Sequence, residues 1–286
     1  MPAVPLLVDP ANADQARAWD GTEGAFWADH PDAFDRTMAA YDPVLLAAAE
    51  LHPGEHVLDV GCGTGSTTRA AAVRCAPGHA LGVDLSAAMV EVARSSAAGL
   101  VNVSFEHVDA QVHDFGAGLY DVLVSRTGVM FFGDPAAAFS NLVRALRPGG
   151  RLALLVWQPY AGNEWIQLLR SALAAGRDLP VPGASGPFSL GDPDRVRALL
   201  TGAGCTDVAL ADVRRPMDFG ATVDAALDFV TGLLGGLVAD LDSAARAAAL
   251  AALRRTLSDH ATPAGVHLPS AAHLVTARHT PDSGHV

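Results

Sequence analysis

The stretch Val57-Leu58-Asp59-Val60-Gly61-Cys62-Gly63-Thr64-Gly65 decides the fold. Its first residues form a short, mostly apolar run preceded by Pro53-Gly54, which predicts a buried parallel strand. Three alternate glycines then turn the chain tightly and let its backbone approach a ligand closely. Residues 66–68 are Ser, Thr and Thr, suitable N-caps for an alanine-rich helix that ends near Pro77. Strand, glycine loop and helix together indicate a nucleotide-type site at the carboxyl end of a first strand.

Two further acidic residues follow the next two predicted strands. Asp84 closes the apolar run 80–83, a position from which a carboxylate can hold ribose hydroxyls. Asp109 closes the predicted strand 103–107. Because the βα loops of a parallel sheet open at one edge, we expect the glycine loop and both carboxylates in one crevice. A dinucleotide fingerprint would need its third glycine at position 66, which is serine, so the spacing disfavours an NAD-dependent oxidoreductase.

Together these motifs resemble those of the class I S-adenosylmethionine (SAM)-dependent methyltransferases, especially the small-molecule branch grouped with the ubiquinone- and menaquinone-biosynthesis enzymes. The resemblance continues through Tyr-Asp-Val-Leu-Val-Ser at 120–125 and Leu-Arg-Pro-Gly-Gly-Arg-Leu at 146–152, and it covers the chain to about residue 157. It implies an α/β, Rossmann-like fold: a seven-stranded, mostly parallel sheet with an antiparallel last strand and helices on both faces. N-terminal and inserted helical cap segments would complete the molecule.

The resemblance also implies a reaction. SAM would be the cofactor and S-adenosylhomocysteine (SAH) the product. The acceptor would be a small molecule methylated at oxygen, nitrogen or carbon by in-line displacement. Two alternatives stay open. One is a catalytically silent SAM-binding or partner-binding protein, because one fold hosts many functions. The other, less favoured, is an NAD-dependent oxidoreductase.

The resemblance assigns cofactor contacts to particular residues. Asp84 would hold the ribose, and Asp59 would meet the cofactor's ammonium group directly or through water, its alternative role being to cap the glycine turn. Asp109 would accept from the adenine amino group, its alternative role being the N-cap of a following turn. Trp27, in the N-terminal segment, would lie near the methionyl end, its alternative role being to anchor that segment to the domain. The predicted cofactor-binding residues are Trp27, Asp59, Gly61, Cys62, Gly63, Gly65, Asp84, Leu85, Met89, Asp109, Ala110 and Ser125.

No catalytic residue is assigned from the sequence. A general base is needed only if the acceptor loses a proton before or during attack. His30, Tyr41 and His267 are candidates, since all three lie on segments expected near the pocket. Arg126 follows Ser125 at the end of the fourth predicted strand, where it could bind an acceptor carboxylate or neutralise an acidic cleft.

Composition and charge exclude several classes of partner. The net charge of −12 argues against nucleic acid as the main partner. No apolar stretch of about twenty residues predicts a membrane span, and the first residues lack the pattern of a secretory signal, so a cytoplasmic monomer or homodimer is expected. The three cysteines show no paired spacing. A metal site is not predicted, although four polar residues alternate at strand spacing: His107, Asp109, Gln111 and His113.

The order of motifs predicts six segments. A Pro/Gly-rich stretch interrupts the βα rhythm after the fifth strand, and a long helical pattern separates the last two strands. The segments are an N-terminal helical cap (1–52), the SAM-binding βαβ core (53–157), a lid-like insertion (158–191), a core continuation (192–212), a helical insertion over the acceptor pocket (213–266), and the last strand with the tail (267–286).

Overall fold

In the computed structural model, which describes residues 6–182 and 186–280, a mixed sheet forms the centre of the molecule. Its strands are β1 (His56–Val60), β2 (His79–Asp84), β3 (Val103–His107), β4 (Tyr120–Arg126), β5 (Leu146–Trp157), β6 (Cys205–Gly220), β7 (Ala261–Thr262) and β8 (Gly265–His279). The strand order is β3-β2-β1-β4-β5-β8-β6, and β7 pairs with β8 alone. β8 is antiparallel to both neighbours, whereas β1 to β5 are mutually parallel. The predicted Rossmann-like α/β fold is therefore confirmed, with the two-residue β7 as an addition.

Helices on both faces cover this sheet. Several begin at residues that the sequence marks as caps: the Asp134 carboxylate accepts from the Ala137 N–H at 3.0 Å, with Pro135 in the first turn. The helices in the described part of the chain are α1 (Ala13–Trp19), α2 (Thr22–Asp29), α3 (Pro31–Met38), α4 (Asp42–Ala48), α5 (Ser66–Cys75), α6 (Ala87–Ser96), α7 (Pro135–Ala145), α8 (Glu164–Leu173), α9 (Pro193–Gly202), α10 (Val223–Leu234) and α11 (Ser243–Asp259).

β1 is the central strand that places the glycine loop. It pairs with β2 on one side and β4 on the other, so that Val57 lies opposite both Ala80 and Val122. Val57 and Leu58 are fully buried because helices cover both faces, which is why the strand reads as an apolar run rather than an alternating pattern. The loops after β1, β2, β3 and β4 consequently open at one edge.

The last two long strands extend beyond their predicted bounds. The pattern predicts strands at 206–212 and 273–278 and a helix from 218, whereas β6 and β8 pair from Cys205 to Gly220 and α10 begins only at Val223. The length of each strand is set by its pairing with the other, and β6 and β8 are separated in the sequence by two helices, so local patterns do not reveal it. Pro216 is tolerated because β6 is an edge strand.

The sequence predicts a helix stop and a turn at 148–150, followed by a strand at 151–156, whereas the structure places 148–150 inside β5. The register shifts from Tyr120↔Leu146 to Val122↔Arg151, so these residues bulge within β5. Gly149 has a φ of +74°, which explains the glycine there.

The six predicted segments stay a prediction as a division of the chain. Helices α1 to α4 occupy residues 13–48 of the proposed cap, whereas the first eight residues of the proposed 213–266 insertion continue strand β6. Residues 183–185 of the proposed lid, the tail from 281 and the first five residues lie outside the described parts. Within those parts, no helix is long and apolar enough to cross a lipid bilayer.

Candidate active site

A cavity with about 960 Å³ of empty space, open mouth included, lies at the carboxyl edge of β1, β2, β3 and β4. The loops after all four strands contribute to its wall, as the parallel topology requires. Helices α1 to α3 supply Trp19, Trp27, Phe34, Asp35 and Met38 to the wall. Nine of the twelve predicted residues line it: Trp27, Gly61, Cys62, Gly63, Asp84, Leu85, Met89, Asp109 and Ala110.

The glycine loop has the tight backbone that its sequence predicts. Gly61 has a φ of +67°, and a Cβ there would come within 2.6 Å of the Gly128 Cα. Gly63 lines the cavity with a φ of +54°. Gly65 is not among the lining residues of the described chain. A Cβ on it would come within 2.7 Å of the Phe105 ring, so this glycine allows α5 to pack closely against β3.

Asp84 is fixed in the wall by backbone donors. The N–H groups of Gly63 and Ser86 donate to its two carboxylate oxygens at 2.8 and 2.9 Å. Burial raises the pKa of this carboxyl, while these hydrogen bonds oppose the rise. Each oxygen keeps a lone pair that can accept from a ligand hydroxyl.

Asp59 is fully buried behind the glycine loop. The Thr68 hydroxyl donates to its Oδ2 at 2.6 Å, but Oδ1 has no hydrogen-bond partner among the described residues. Burial raises the pKa of Asp59 to about 7. The Thr67 hydroxyl, which lines the cavity, also has no partner within the described chain. Two unpartnered polar atoms in one region are costly without a ligand.

Asp109 holds the N-terminal segment in place. The Asp9 N–H donates to its Oδ2 at 3.0 Å, and the Asn12 amide donates to its Oδ1 at 2.8 Å. Asn12 in turn accepts from the Gly133 N–H at 2.6 Å. The Gln111 N–H also donates to Asp109, as its alternative capping role requires. Asn12 is a lining residue of the cavity that the sequence did not reveal, because its partners Asp109 and Gly133 lie about a hundred residues away.

Arg126 forms a charge network with the N-terminal helices. Its guanidinium donates to Asp42 at 2.8 Å, to Asp35 at 3.0 Å and to the Ser66 hydroxyl at 2.9 Å. These ion pairs are those expected if Arg126 neutralises an acidic cleft; binding of an acceptor carboxylate, the other interpretation, stays a prediction.

Ser125 is buried beneath this network rather than in the wall. Its hydroxyl donates to the Val60 carbonyl at 2.7 Å and accepts from the Val129 N–H at 3.2 Å. It ties the end of β1 to the loop after β4, and among the described residues it is not part of the cavity lining. Its position places it in the scaffold under the site.

The three general-base candidates also lie elsewhere. His30 is exposed, and its ring contacts Phe26. Tyr41 is fully buried with its hydroxyl 2.7 Å from Ser270 Oγ, and His267 lines a second, separate depression. Within the described chain none of the three lines the cavity, and no cluster of metal-ligating side chains is present.

Aromatic side chains from the N-terminal helices form part of the cavity wall. The rings of Trp27 and Phe34 stack at 3.4 Å, and Phe229 of α10 packs edge-on against Phe34 at 4.9 Å. The helical insertion thus supports the wall from behind. Among the described residues of 158–191 none lines the cavity, so a lid role for that segment stays a prediction.

Comparison with known proteins assigns the family. Residues 57–150 match the family model of a methyltransferase domain. Over 200 residues the chain is 30% identical to nocamycin O-methyltransferase of Saccharothrix syringae. This match covers 61% of this chain and 71% of the relative. The chain belongs to the SAM-dependent methyltransferases. This methyltransferase is also 31% identical over 239 residues to an uncharacterized protein of Mycobacterium tuberculosis, covering 76% of this chain and 82% of that one.

Solved structures share the fold of the methyltransferase at low sequence identity. Bacillus subtilis YcgJ superposes with a TM-score of 0.56 at 19% identity, covering 84% of this chain and 97% of that chain. Haemonchus contortus phosphoethanolamine N-methyltransferase 2 was solved with phosphomonomethylethanolamine and SAH. It superposes with a TM-score of 0.57 at 17% identity, and the match covers 96% of this chain and 61% of that chain. At such identities the likeness shows the fold alone.

The cavity of the methyltransferase fits SAM, its cofactor. SAM carries a cationic methionyl end and a ribose. The wall offers a buried carboxylate, Asp84, with free lone pairs, and the Thr67 hydroxyl, which has no partner among the described residues. The Asp59 oxygen without a partner in the described chain is buried in β1, just before the glycine loop. The family sets aside an NAD-dependent oxidoreductase and a catalytically silent protein.

Proposed function

We propose that this methyltransferase acts on a small molecule held in the cavity beside the glycine loop. One observation carries the proposal: helices α2 and α3 close over the sheet edge and put Trp27, Phe34 and Met38 into the cavity wall. A covered pocket of this size suits a small ligand. The net charge of −12 disfavours a nucleic-acid acceptor. The name of the Saccharothrix relative favours oxygen as the methylated atom.

In this proposal the chain binds and orients the cofactor, which supplies a methyl group on a sulfonium sulfur. Asp84 accepts from the ribose hydroxyls, and Gly61 and Gly63 let the backbone approach closely. Asp59 provides the negative charge that stabilises the ammonium group. Because Asp59 lies outside the wall, it acts on the ammonium group through a water molecule. The adenosyl part contacts three apolar residues of the wall: Leu85, Met89 and Ala110.

The protein accelerates transfer by holding the reacting groups in line and excluding water. Trp27 and Phe34 cover the methionyl end. Asp109 docks residues 9–12 over the adenosyl end, and its direct contact with the adenine amino group stays a prediction. A place among the ubiquinone-type enzymes, a cytoplasmic location and a monomeric or homodimeric state likewise stay predictions.

Calorimetric titration with SAM, SAH and NAD tests the site. The wild-type protein should bind the first two and not NAD. Asp84→Asn should weaken SAM binding by about 1–3 kcal/mol, because a charged hydrogen-bond acceptor is lost. Asp114→Asn is the matched control, since Asp114 also accepts a backbone N–H, from Gly116, but is exposed. Equal losses in both variants would refute the assignment of Asp84.

The acceptor class is tested separately. Formation of SAH is followed with a pool of small hydroxyl and amine compounds and, in parallel, with DNA and RNA. We expect SAH only with the small-molecule pool. Turnover with nucleic acid alone would contradict the proposal.

A further inference from the structure

One carboxylate in the cavity wall is left without a role by the cofactor. The ionisable residues of the wall are Asp35, Cys62, Asp84, Asp109 and Arg126. In the proposed function Asp84 accepts hydrogen bonds from the ribose. Asp109 already accepts hydrogen bonds from the N-terminal segment, at Asp9 and Asn12. Cys62 donates to the Gly63 carbonyl, and burial raises the pKa of its thiol, which keeps it protonated. Asp35 remains.

The topology puts Asp35 at the end of the cavity away from Asp109. Arg126 is the last residue of β4 and Asp109 follows β3, and the ends of β1 and β2 lie between them. With about 4.8 Å between neighbouring strands, the two positions are about 14 Å apart. Asp35 is bound to Arg126, so it shares the end that is walled by Trp27, Phe34 and Met38.

The network fixes one oxygen of Asp35 and leaves the other free. Its Oδ1 accepts from the Ser66 hydroxyl at 2.7 Å and from the Arg126 guanidinium at 3.0 Å. Its Oδ2 has no donor among the described residues, and the side chain is 31% exposed. An oriented, partly exposed carboxylate oxygen can accept a hydrogen bond from a molecule in the cavity.

The same network disfavours an anionic ligand. Asp35 and Asp42 share the single guanidinium of Arg126, so acidic groups outnumber basic ones. Arg126 already donates from both of its terminal nitrogens to this network, and its charge is shared by two carboxylates. An acceptor with its own carboxylate here would meet like charge.

From these contacts we infer that Asp35 is the residue that recognises the methyl acceptor, and that the acceptor has an apolar, flat body bearing a hydroxyl or amine donor rather than a carboxylate. The donor binds Asp35 Oδ2, and the stacked pair Trp27–Phe34 receives the body. Ser66 and Arg126 hold the carboxylate in its orientation. This inference rests on the proposed function only in placing the acceptor in this cavity.

Three probes with one ring and different charge test the inference: benzylamine, benzyl alcohol and benzoate. Each is titrated by ligand-observed NMR against the protein saturated with SAH and against the protein without it. We expect benzylamine to bind most tightly, benzyl alcohol next and benzoate least. In Asp35→Asn, which keeps an oxygen for Ser66 and Arg126, benzylamine should bind about 10- to 100-fold more weakly.

Asp42→Asn is the matched control. Asp42 shares the guanidinium but is not part of the cavity wall in the described chain, so this variant should keep the preference for benzylamine. SAH affinity and melting temperature are measured for each variant and should be unchanged in Asp35→Asn.

Three results would overturn the inference: equal binding of benzoate and benzylamine, an unchanged preference in Asp35→Asn, or no binding of any probe at millimolar concentration. Failure of SAH to bind the wild-type protein would instead refute the proposed function. The probe titrations without SAH would then still decide the role of Asp35.

Discussion

Replacing Asp59 by Asn should make the protein more stable and its cofactor site weaker. Burial raises the pKa of this carboxyl from its ordinary 3.8 to about 7. Between these values the folded protein holds a proton that the unfolded chain has released. The contribution of Asp59 to stability therefore falls as the pH rises through this window, and the full cost is present above about pH 7.

The expected gain in the free energy of unfolding follows from the size of the pKa shift of Asp59. A rise from 3.8 to about 7 corresponds to about 4 kcal/mol above pH 7, and to less than about 2 kcal/mol at pH 5. Asn resembles the protonated carboxyl and keeps an oxygen for Thr68, so the variant avoids this cost. For a chain of 286 residues, 4 kcal/mol corresponds to about 7 °C in melting temperature.

Thermal unfolding of both proteins at pH 5 and pH 8, with SAM titrations at pH 8, checks the reasoning. The gain in melting temperature should be large at pH 8 and small at pH 5, and SAM should bind at least about tenfold more weakly to the variant. A gain that is the same at both pH values would refute the buried charge. A gain without loss of SAM affinity would refute the role of Asp59 toward the ammonium group.

Two further predictions concern the backbone and the N-terminal segment. Gly61→Ala should destabilise the protein by about 1–3 kcal/mol and abolish SAM binding, because its Cβ would meet Gly128. Gly54 also has a positive φ, +89°, but nothing lies near the position of its Cβ, so chemical denaturation of Gly54→Ala and Gly61→Ala separates backbone strain from the clash. Equal effects of the two substitutions would contradict the role of close approach. Asn12→Ala should speed amide exchange at Gly133 about 10- to 100-fold, whereas Asp14→Ala, an exposed change nearby, should not. Unchanged exchange in Asn12→Ala would show that the segment is held by other contacts.

Local signals made much of the fold and the cofactor loop predictable from the sequence. β1, the glycine turn and α5 are adjacent in the chain, so their order and composition are enough to place them. Asp84 follows for the same reason, since it directly ends a strand of the sheet. The cofactor and the reaction are predicted from the family resemblance and not from these local patterns.

Contacts between distant segments were not predictable. The adenine contact of Asp109 stays a prediction, but the sequence gives no sign that its carboxylate accepts from the Asn12 amide and the Asp9 backbone N–H, which lie about a hundred residues away in the chain. The sequence predicts that Ser125 binds the cofactor, because it lies near the end of β4. In the structure its hydroxyl donates to the Val60 carbonyl, and its side chain is buried beneath the wall. The sequence around Asp35 does not indicate a binding residue, because an acidic residue on a short helix is typical of a solvated surface.

The division of the cavity wall between two stretches of chain has a consequence for how acceptor choice can change. The sheet edge and glycine loop lie within the matched region 57–150, whereas Trp27, Phe34 and Asp35 lie before it. Given the proposed role of Asp35, we expect that grafting helices α2 and α3 from one relative to another transfers the preference for an acceptor and leaves cofactor use intact. Diversification within such a family would then proceed by variation of these two helices, while the loop that holds the methyl donor stays constant.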